Sequence, residues 1–167
     1  EMEFVRDFRD NVSVEVTPQH LTLTAADYAR LGTRLQMNPP VREGRHRERL
    51  WWGLAEGIAD VLGSDHAPHT LDEKAKAYPA SPSGMPGVQT LVAVMLDHVA
   101  TGRLSLARFV DLTSAGPARV FGIAGKGRIA AGYDADLTVV DLKRRVTITD
   151  AMMASRSAWT PSSASCT

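Results

Sequence analysis

The chain has 167 residues, with 19 basic and 19 acidic side chains, 44% hydrophobic residues and 23% charged residues. This composition is that of an ordinary folded domain, and it excludes a collagen-like chain, a disordered segment and a disulfide scaffold. A chain of this length buries roughly 70% of its unfolded surface, so we expect one sizeable core, forming one domain or part of one. Because the charges balance, the chain has no excess of basic residues that would indicate binding to nucleic acid or to an anionic membrane surface.

The single cysteine, Cys166, stands one residue from the C-terminus and has no partner for an intrachain disulfide. We therefore expect a reducing, cytoplasmic setting. No apolar stretch has the length of a membrane span, and the acidic start at Glu1 lacks the basic and apolar regions of a signal peptide. The sequence predicts a soluble protein without a targeting segment.

The start of the chain predicts a helix tail, a short strand and a short helix. Apolar residues at mixed helical spacing over residues 1–9 are typical of the end of a helix that begins elsewhere. The apolar and polar alternation over residues 12–16 predicts a strand, which Pro18 ends. An N-cap threonine, an early acidic residue and a glycine stop predict a helix over residues 24–32.

The middle of the chain predicts a stiff loop, a helix and a buried strand. Asn38-Pro39-Pro40 cannot continue a helix and forms the loop. An amphipathic pattern predicts a helix over residues 44–57, and the apolar run 58–63 suits a strand buried on both faces. Asp65 follows that strand directly. A helix leading into a buried strand with polar side chains at its C-terminal end is the repeating unit of a β/α barrel, in which catalytic groups gather at the strand C-termini.

The remainder of the chain predicts a long loop, three helices and a small β element. Proline, glycine and serine fill residues 78–87, which predicts a surface or active-site loop. Apolar periodicity predicts helices over residues 88–100 and 106–113, and Pro117 opens a shorter one. Beyond Gly122 the pattern changes to turns and short strands.

Three side chains that suit a metal follow the predicted buried strand. Asp65, His66 and His69 lie within five residues and combine oxygen and imidazole ligands of the kind that bind zinc. Spacing alone leaves two interpretations open: a metal site, or an aspartate that caps a turn beside solvated histidines. The barrel position favours the metal site, because a carboxylate at the mouth of a barrel both binds a metal and accepts a proton from metal-bound water.

Other candidates are weaker on pattern alone. Asn38 presents a side-chain amide, which both donates and accepts, from a rigid loop, but a turn-forming asparagine fits the pattern too. His20 is equally ambiguous and ranks below Asp65, because a lone histidine beside apolar residues is more often packed than ligating. Gly84 and Gly87 suggest bare backbone amides set against a small polar ligand, or a simple connector.

Five blocks of the sequence occur in an order that is typical of one known family. The blocks are Glu15-Val16-Thr17-Pro18-Gln19-His20-Leu21, Asn38-Pro39-Pro40-Val41-Arg42, Ser64-Asp65-His66-Ala67-Pro68-His69-Thr70, Gly84-Met85-Pro86-Gly87-Val88-Gln89-Thr90 and Gly125-Lys126-Gly127-Arg128-Ile129. Together they resemble dihydroorotase, a cyclic amidohydrolase, and the resemblance extends to about Trp159.

The resemblance implies reversible, zinc-dependent interconversion of dihydroorotate and N-carbamoyl-aspartate in pyrimidine synthesis. It implies that Asp65 is the last-strand aspartate, which ligates one zinc of a two-metal site and moves the proton of the attacking hydroxide. It also implies that Asn38 and His69 hold the substrate, and that the backbone of Pro86 and Gly87 closes over it.

The implied fold class is α/β. Residues 1–122 would form the C-terminal part of a (β/α)8 TIM barrel, and residues 123–167 part of a small β-sandwich and a tail. The family's other metal ligands belong to earlier barrel strands, so the chain resembles only the C-terminal half. A complete barrel takes about 250 residues. We therefore expect the isolated chain to be inactive and the remainder to come from a homo-oligomer or a complementing chain.

Two alternatives remain open. The first is a non-catalytic, dihydroorotase-like scaffold that assembles with aspartate transcarbamoylase. The second is an allantoinase or hydantoinase, because Gln19 stands where dihydroorotases commonly have histidine. For the enzyme, we expect a small-molecule substrate as the ligand, with neither nucleic acid nor membrane as a partner.

Overall fold

The computed structural model describes residues 2–163 of the chain, so Cys166 lies outside the described residues. The strands are β1 Glu15–Val16 and β2 Val61–Leu62. The α-helices within the described residues are α1 Met2–Arg6, α2 Pro18–Thr22, α3 Tyr28–Leu31, α4 Gly44–Ala55, α5 Leu71–Lys74, α6 Leu91–Ala100, α7 Leu106–Val110 and α8 Gly116–Val120. Shorter turns are the 3-10 segments Ala25–Asp27, Gly32–Leu35 and Asp150–Met152, and the π-helical segment Asp111–Ala115.

The two strands pair in parallel, with Glu15 opposite Val61 and Val16 opposite Leu62. They confirm the predicted strands, although each is shorter than its apolar pattern. Before the ladder begins, the carbonyl of Val14 accepts the N–H of Asp60 at 2.8 Å. Because the strands are parallel, their carboxyl ends meet at one edge, and the loops that follow them are neighbours.

An ion pair fastens the beginning of this strand pair. Arg9 Nη2 lies 2.7 Å from Asp60 Oδ1 and Nη1 lies 3.1 Å from Oδ2, a bidentate arrangement. The same carboxylate accepts the backbone N–H of Val14 at 2.7 Å. Three elements are therefore connected at one carboxylate: the segment after α1, the approach to β1 and the approach to β2.

The main hydrophobic core forms where α4, α6 and α7 pack with the strands. Trp51, Met95 and Phe109 from these helices bury against Leu62 of β2. Each such side chain contributes about 1.5–3 kcal/mol by leaving water. The indole Nε1 of Trp51 donates to the carbonyl of Leu21 at 2.9 Å, so the ring is satisfied as well as buried.

Local sequence explains where the helices begin. Periodicity predicted α4 and α6, and both are confirmed within a few residues of their predicted ends. Helix α2 was not predicted: Pro18 occupies its first turn, while the Thr17 hydroxyl caps it by accepting the N–H of His20 at 3.4 Å. The residue expected to end a strand therefore starts a helix.

Helices α7 and α8 run on through the π-helical segment instead of forming separate helices. Pro117 lacks an N–H and cannot make the regular bond to the preceding turn, which the wider π-helical turn accommodates. Gly116 is required here, because a Cβ at that position would lie 2.3 Å from the carbonyl oxygen of Asp60. The backbone of this helix thus lies directly against the approach to β2.

No strand forms within residues 123–163, so the prediction of short strands after Gly122 is wrong for the described part of the chain. Leu137 and Val139 are 63% and 94% exposed. Alternation alone does not make a strand, because a strand needs a neighbouring strand to satisfy its backbone groups. The division into residues 1–122 and 123–167 remains a prediction.

The segment after residue 123 returns to the rest of the protein through Trp159. The Trp159 side chain is completely buried in a second cluster with Leu35, Met37 and Met85.

No helix in the described range has both the length and the apolar character to cross a bilayer.

Candidate active site

The carboxyl ends of the two strands are connected by a buried amide. Gln19, just after β1, donates from Nε2 to the carbonyl of Ser64, just after β2, at 2.7 Å. A third segment lies against this link: a Cβ on Gly87 would lie 2.5 Å from the Ser64 oxygen and 2.9 Å from Gln19 Nε2. Only glycine fits at position 87, so backbone packing holds three segments together beside Asp65.

Asp65 has a strained backbone, with φ at +44°, in the left-handed region that residues with a Cβ rarely adopt. This conformation costs about 1–2 kcal/mol, and aspartate tolerates it better than most residues. The side chain is exposed, and no group in residues 2–163 donates a hydrogen bond to its carboxylate. The turn therefore presents both carboxylate oxygens to a ligand.

His66 holds a loop instead of presenting a vacant ligand. It forms an isolated parallel bridge with Met85, and its Nδ1 accepts the N–H groups of Gly87 at 3.1 Å and Val88 at 3.5 Å. Of the two interpretations left open for Gly84 and Gly87, the hydrogen bonds favour the connector, because the Gly84 N–H also donates within the protein, to the carbonyl of Gln36 at 2.9 Å.

His69 has a defined ring orientation. Its Nε2 lies 3.1 Å from the Ser83 carbonyl, which only accepts, so Nε2 carries the proton. Its Nδ1 lies 3.8 Å from Glu73 Oε2, too far for a hydrogen bond. The pKa of Glu73 is lowered chiefly by the backbone N–H of Thr70, which it accepts in a capping box at the start of α5. The His69 carbonyl accepts Nε1 of Trp159 at 2.8 Å.

Asn38 and Gly87 line two separate hollows. Asn38, together with Tyr28, Tyr78 and Ser83, borders one of about 480 Å³. The other, of about 400 Å³, is lined by Pro86, Gly87 and His66, among others. Asp65 lines neither hollow. The structure therefore brings the sequence-predicted residues to adjoining loops without enclosing them in one cavity.

The loop that carries Asn38 is held by His20, one of the ambiguous candidates of the sequence. Nδ1 of His20 lies 2.8 Å from the Thr17 hydroxyl, and Nε2 donates to the Pro39 carbonyl at 3.0 Å. Both ring nitrogens are used within the protein. His20 therefore supports the Asn38 loop and leaves no nitrogen for a metal.

Sequence reasoning missed three residues that organise these loops: Gln19 as a link between strand ends, Lys74 and Trp159. Lys74 is 1% exposed and donates to backbone carbonyls of the 81–87 loop. Its place in the charged run Asp72-Glu73-Lys74 is typical of a solvated helix face, so the sequence offered no sign of burial. For Trp159, the only signal was its large aromatic side chain in a polar tail.

Within residues 2–163, no three His, Cys, Asp or Glu side chains come together as a metal-binding group. A zinc site takes three or four protein ligands. The Nδ1 of His66 is used as an acceptor, so its Nε2 carries the proton, whereas the Asp65 carboxylate is unbonded and fits one position of such a site. His69 keeps Nδ1 free, and we assign that nitrogen to the substrate, as the sequence predicts. The described residues therefore suit a contribution to a metal centre, and not a complete one.

Comparison with known proteins gives consistent results. The Amidohydrolase family matches residues 4–162. A dihydroorotase of Methanosarcina mazei is 45% identical over 149 residues, covering 88% of this chain and 33% of that protein. A dihydroorotase of Halobacterium salinarum is 47% identical over 147 residues, covering 88% of this chain and 35% of that protein. The chain thus spans about a third of the length of these relatives.

Solved structures agree on the fold. The L-hydantoinase (dihydropyrimidinase) from Arthrobacter aurescens superposes with a TM-score of 0.91 at 33% identity, covering 97% of this chain and 38% of that one. A D-hydantoinase (dihydropyrimidinase) from Thermus sp. gives a TM-score of 0.82 at 31% identity, covering 90% and 35%. The predicted fold class, part of an α/β barrel, is confirmed.

Proposed function

Since this chain belongs to the amidohydrolase family, we propose that it is the part of a zinc-dependent dihydroorotase that contains the last two barrel strands. The observation that carries the proposal is the exposed, unbonded carboxylate of Asp65 at the end of β2, on a strained turn. The two dihydroorotases at 45% and 47% identity support the ring substrate.

In this proposal, water opens the ring amide of dihydroorotate and N-carbamoyl-aspartate is released; the reverse reaction closes the ring. Asp65 accepts the proton of the attacking water and returns it to the ring nitrogen as the carbon–nitrogen bond breaks. The absence of a hydrogen-bond donor to its carboxylate within residues 2–163 suits this role, because both oxygens stay open to a proton.

Three groups hold the substrate in the proposed complex. The Asn38 amide both donates and accepts, and its side chain is exposed on the loop that His20 supports. His69 directs Nε2 to Ser83 and leaves Nδ1 for the substrate. In the 81–87 loop, the Gly87 N–H is bonded to His66, and the remaining backbone of Pro86 and Gly87 closes over the substrate in this proposal.

Zinc, when bound, would polarise the ring carbonyl and lower the pKa of the attacking water. Asp65 would hold it from this chain, together with ligands from elsewhere in the protein. We further propose a cytoplasmic enzyme of pyrimidine synthesis, in which a homo-oligomer or a complementing chain completes the barrel. Assembly with aspartate transcarbamoylase belongs to the alternative, a non-catalytic scaffold.

The test is ring opening of dihydroorotate, with added zinc, by this chain together with the part that completes the barrel, compared with the same assembly carrying Asp65→Asn. Turnover that is lost in the variant supports the proposal. The absence of both bound metal and turnover in the completed assembly contradicts it and favours the scaffold. A second candidate, a hydantoinase, follows from the TM-score of 0.91 to the Arthrobacter aurescens enzyme. Hydantoin assayed in parallel decides between the two rings.

A further inference from the structure

Lys74 is the least exposed charged side chain among residues 2–163, at 1%. Its Nζ donates to the carbonyls of Gln36 at 3.0 Å, Pro82 at 2.8 Å and Gly84 at 3.0 Å. An ammonium group has three N–H donors and no acceptor, so each donor has one carbonyl. Burial lowers the pKa of Lys74 to about 8, so the group is mostly protonated at pH 7.

The carbonyls of three consecutive loop residues accept hydrogen bonds from the segment that ends in Lys74. Lys74 binds those of Pro82 and Gly84, and His69 Nε2 binds that of Ser83 between them at 3.1 Å. The lysine therefore fixes the peptide groups on both sides of the carbonyl that orients His69.

A second connection leads to Asn38. The Gln36 carbonyl accepts both Lys74 Nζ and the N–H of Gly84, at 3.0 and 2.9 Å. The Gln36 side chain donates in turn to the Ser81 carbonyl at 2.8 Å. Gln36 stands two residues before Asn38. One ammonium group thus connects the loop that carries Asn38 with the 81–87 loop.

Burying this cation is costly, because only 1% of the residue's surface is exposed and no carboxylate forms an ion pair with it in the described residues. An apolar side chain of similar length would fill the space without that cost. The burial of Lys74 is therefore explained by the hydrogen bonds that its ammonium group donates, and not by packing alone.

We propose that Lys74 is a positioning residue that fixes the 81–87 loop and, through Ser83, the ring of His69 for substrate binding. The loop-fixing role stands on the contacts above, and the effect on substrate rests on the proposed function.

The test compares Lys74→Met with Lys76→Met. Both changes remove one lysine from the same short stretch, but Lys76 is exposed and contacts none of the loop carbonyls. Amide hydrogen exchange at Gly84, whose N–H bonds Gln36, reports on the loop. We expect exchange at Gly84 to accelerate at least about tenfold in Lys74→Met and to stay at the wild-type rate in Lys76→Met. Equal exchange rates in the two variants overturn the proposal.

Kinetics separate a positioning role from simple loss of fold. In Lys74→Met, KM for dihydroorotate should rise several-fold more than kcat falls, and Lys74→Arg, which keeps charge and donors, should restore part of the difference. Faster exchange with an unchanged KM overturns the positioning of substrate. If wild-type protein, together with the part that completes the barrel, turns over no dihydroorotate, the proposed function fails, and the exchange data alone decide the loop-fixing role.

A measurement on the wild type covers the case in which Lys74→Met does not fold. Scalar couplings across hydrogen bonds should connect Lys74 Nζ with the carbonyl carbons of Gln36, Pro82 and Gly84 in isotope-labelled protein. Their presence supports the arrangement. A freely rotating, water-exposed ammonium signal for Lys74 contradicts it.

Discussion

Replacing Gly87 by alanine tests whether backbone packing builds the candidate site. The added Cβ would lie 2.5 Å from the Ser64 carbonyl oxygen, whereas ordinary contact begins at 3.4 Å. Relief requires a shift of about 0.9 Å, and the neighbour is backbone, which cannot rotate away. The same Cβ would lie 2.9 Å from Gln19 Nε2, which donates to that carbonyl.

The cost follows from these two contacts. Overpacking of this kind destabilises by about 1–3 kcal/mol. Displacing Gln19 weakens the buried hydrogen bond from its Nε2 to the Ser64 carbonyl, which adds a cost of about 1 kcal/mol or more. We therefore expect Gly87→Ala to lose about 2–4 kcal/mol of unfolding free energy. It should also lower turnover, because Ser64 immediately precedes Asp65.

The assay is urea denaturation with Gly44→Ala as the control. Gly44 begins α4, and a Cβ added there would have no atom within 4 Å, so the same extra methyl group meets open space. Alanine has the higher helix propensity and lowers the entropy of the unfolded chain, so Gly44→Ala should leave the unfolding free energy unchanged or raise it by up to about 1 kcal/mol. Midpoints that coincide for the two variants, at equal slopes, would refute the packing argument.

Three further predictions concern the residues around the site. Asp65→Asn should abolish ring opening while changing the unfolding free energy by less than about 0.5 kcal/mol, since the side chain is exposed and asparagine tolerates a positive φ; a large loss of stability in urea would contradict this. Trp159→Phe should remove the Nε1 donor to His69, cost about 1 kcal/mol and raise KM more than it lowers kcat; unchanged kinetics would separate Trp159 from the site. For Lys74, the pKa falls from 10.5 to about 8 on folding. Between pH 8 and 10.5 the unfolded chain therefore binds more protons at Lys74 than the folded chain does. The contribution of Lys74 to the free energy of unfolding should accordingly rise with pH, by up to about 3 kcal/mol. Urea midpoints of wild type and Lys74→Met that change in parallel between pH 8 and 10.5 would contradict that sign.

The sequence predicted those parts of the fold that depend on local signals. Apolar periodicity was sufficient for α4 and α6, because each helix buries one face in the same core. Pro18 was misinterpreted because proline ends a strand and opens a helix equally well, and only the Thr17 cap distinguishes the two. The alternation near Leu137 failed because a strand depends on a neighbour that the pattern does not contain.

The sequence named candidate site residues, whose roles remain predictions, but it did not predict their geometry. Motifs located Asp65, Asn38 and His69, because aspartate, asparagine and histidine carry recognisable chemistry. The left-handed backbone of Asp65 was not predictable, since it results from surrounding contacts that overcome a local preference. Lys74 was not predictable for a similar reason: its acceptors are backbone carbonyls, which every residue possesses, so no sequence pattern marks them.

Most of the side-chain contacts that place these loops share one property, which is that a side chain donates to a backbone carbonyl; His66, whose Nδ1 accepts the Gly87 N–H, is the exception. Gln19 binds Ser64, His20 binds Pro39, and Trp159 binds His69. Lys74 and His69 bind the 81–87 loop in the same way. We call this set of contacts the frame. It requires the donating side chains, whereas the loop residues contribute only backbone carbonyls, which every residue has.

Under the proposed function, we therefore expect that side chains at the exposed loop positions can change the ring that is bound without disturbing the position of the Asp65 carboxylate. Dihydroorotases and hydantoinases both match this chain, which is what a constant frame with variable loop side chains would produce. Exchange of Tyr78, which is 78% exposed at the hollow beside Asn38, should accordingly alter the preference between rings and leave the unfolding free energy within about 0.5 kcal/mol. Competition between dihydroorotate and hydantoin in Tyr78→Ala measures that preference. A large loss of stability with an unchanged ring preference would show instead that the loop side chains themselves help to hold the loops in place.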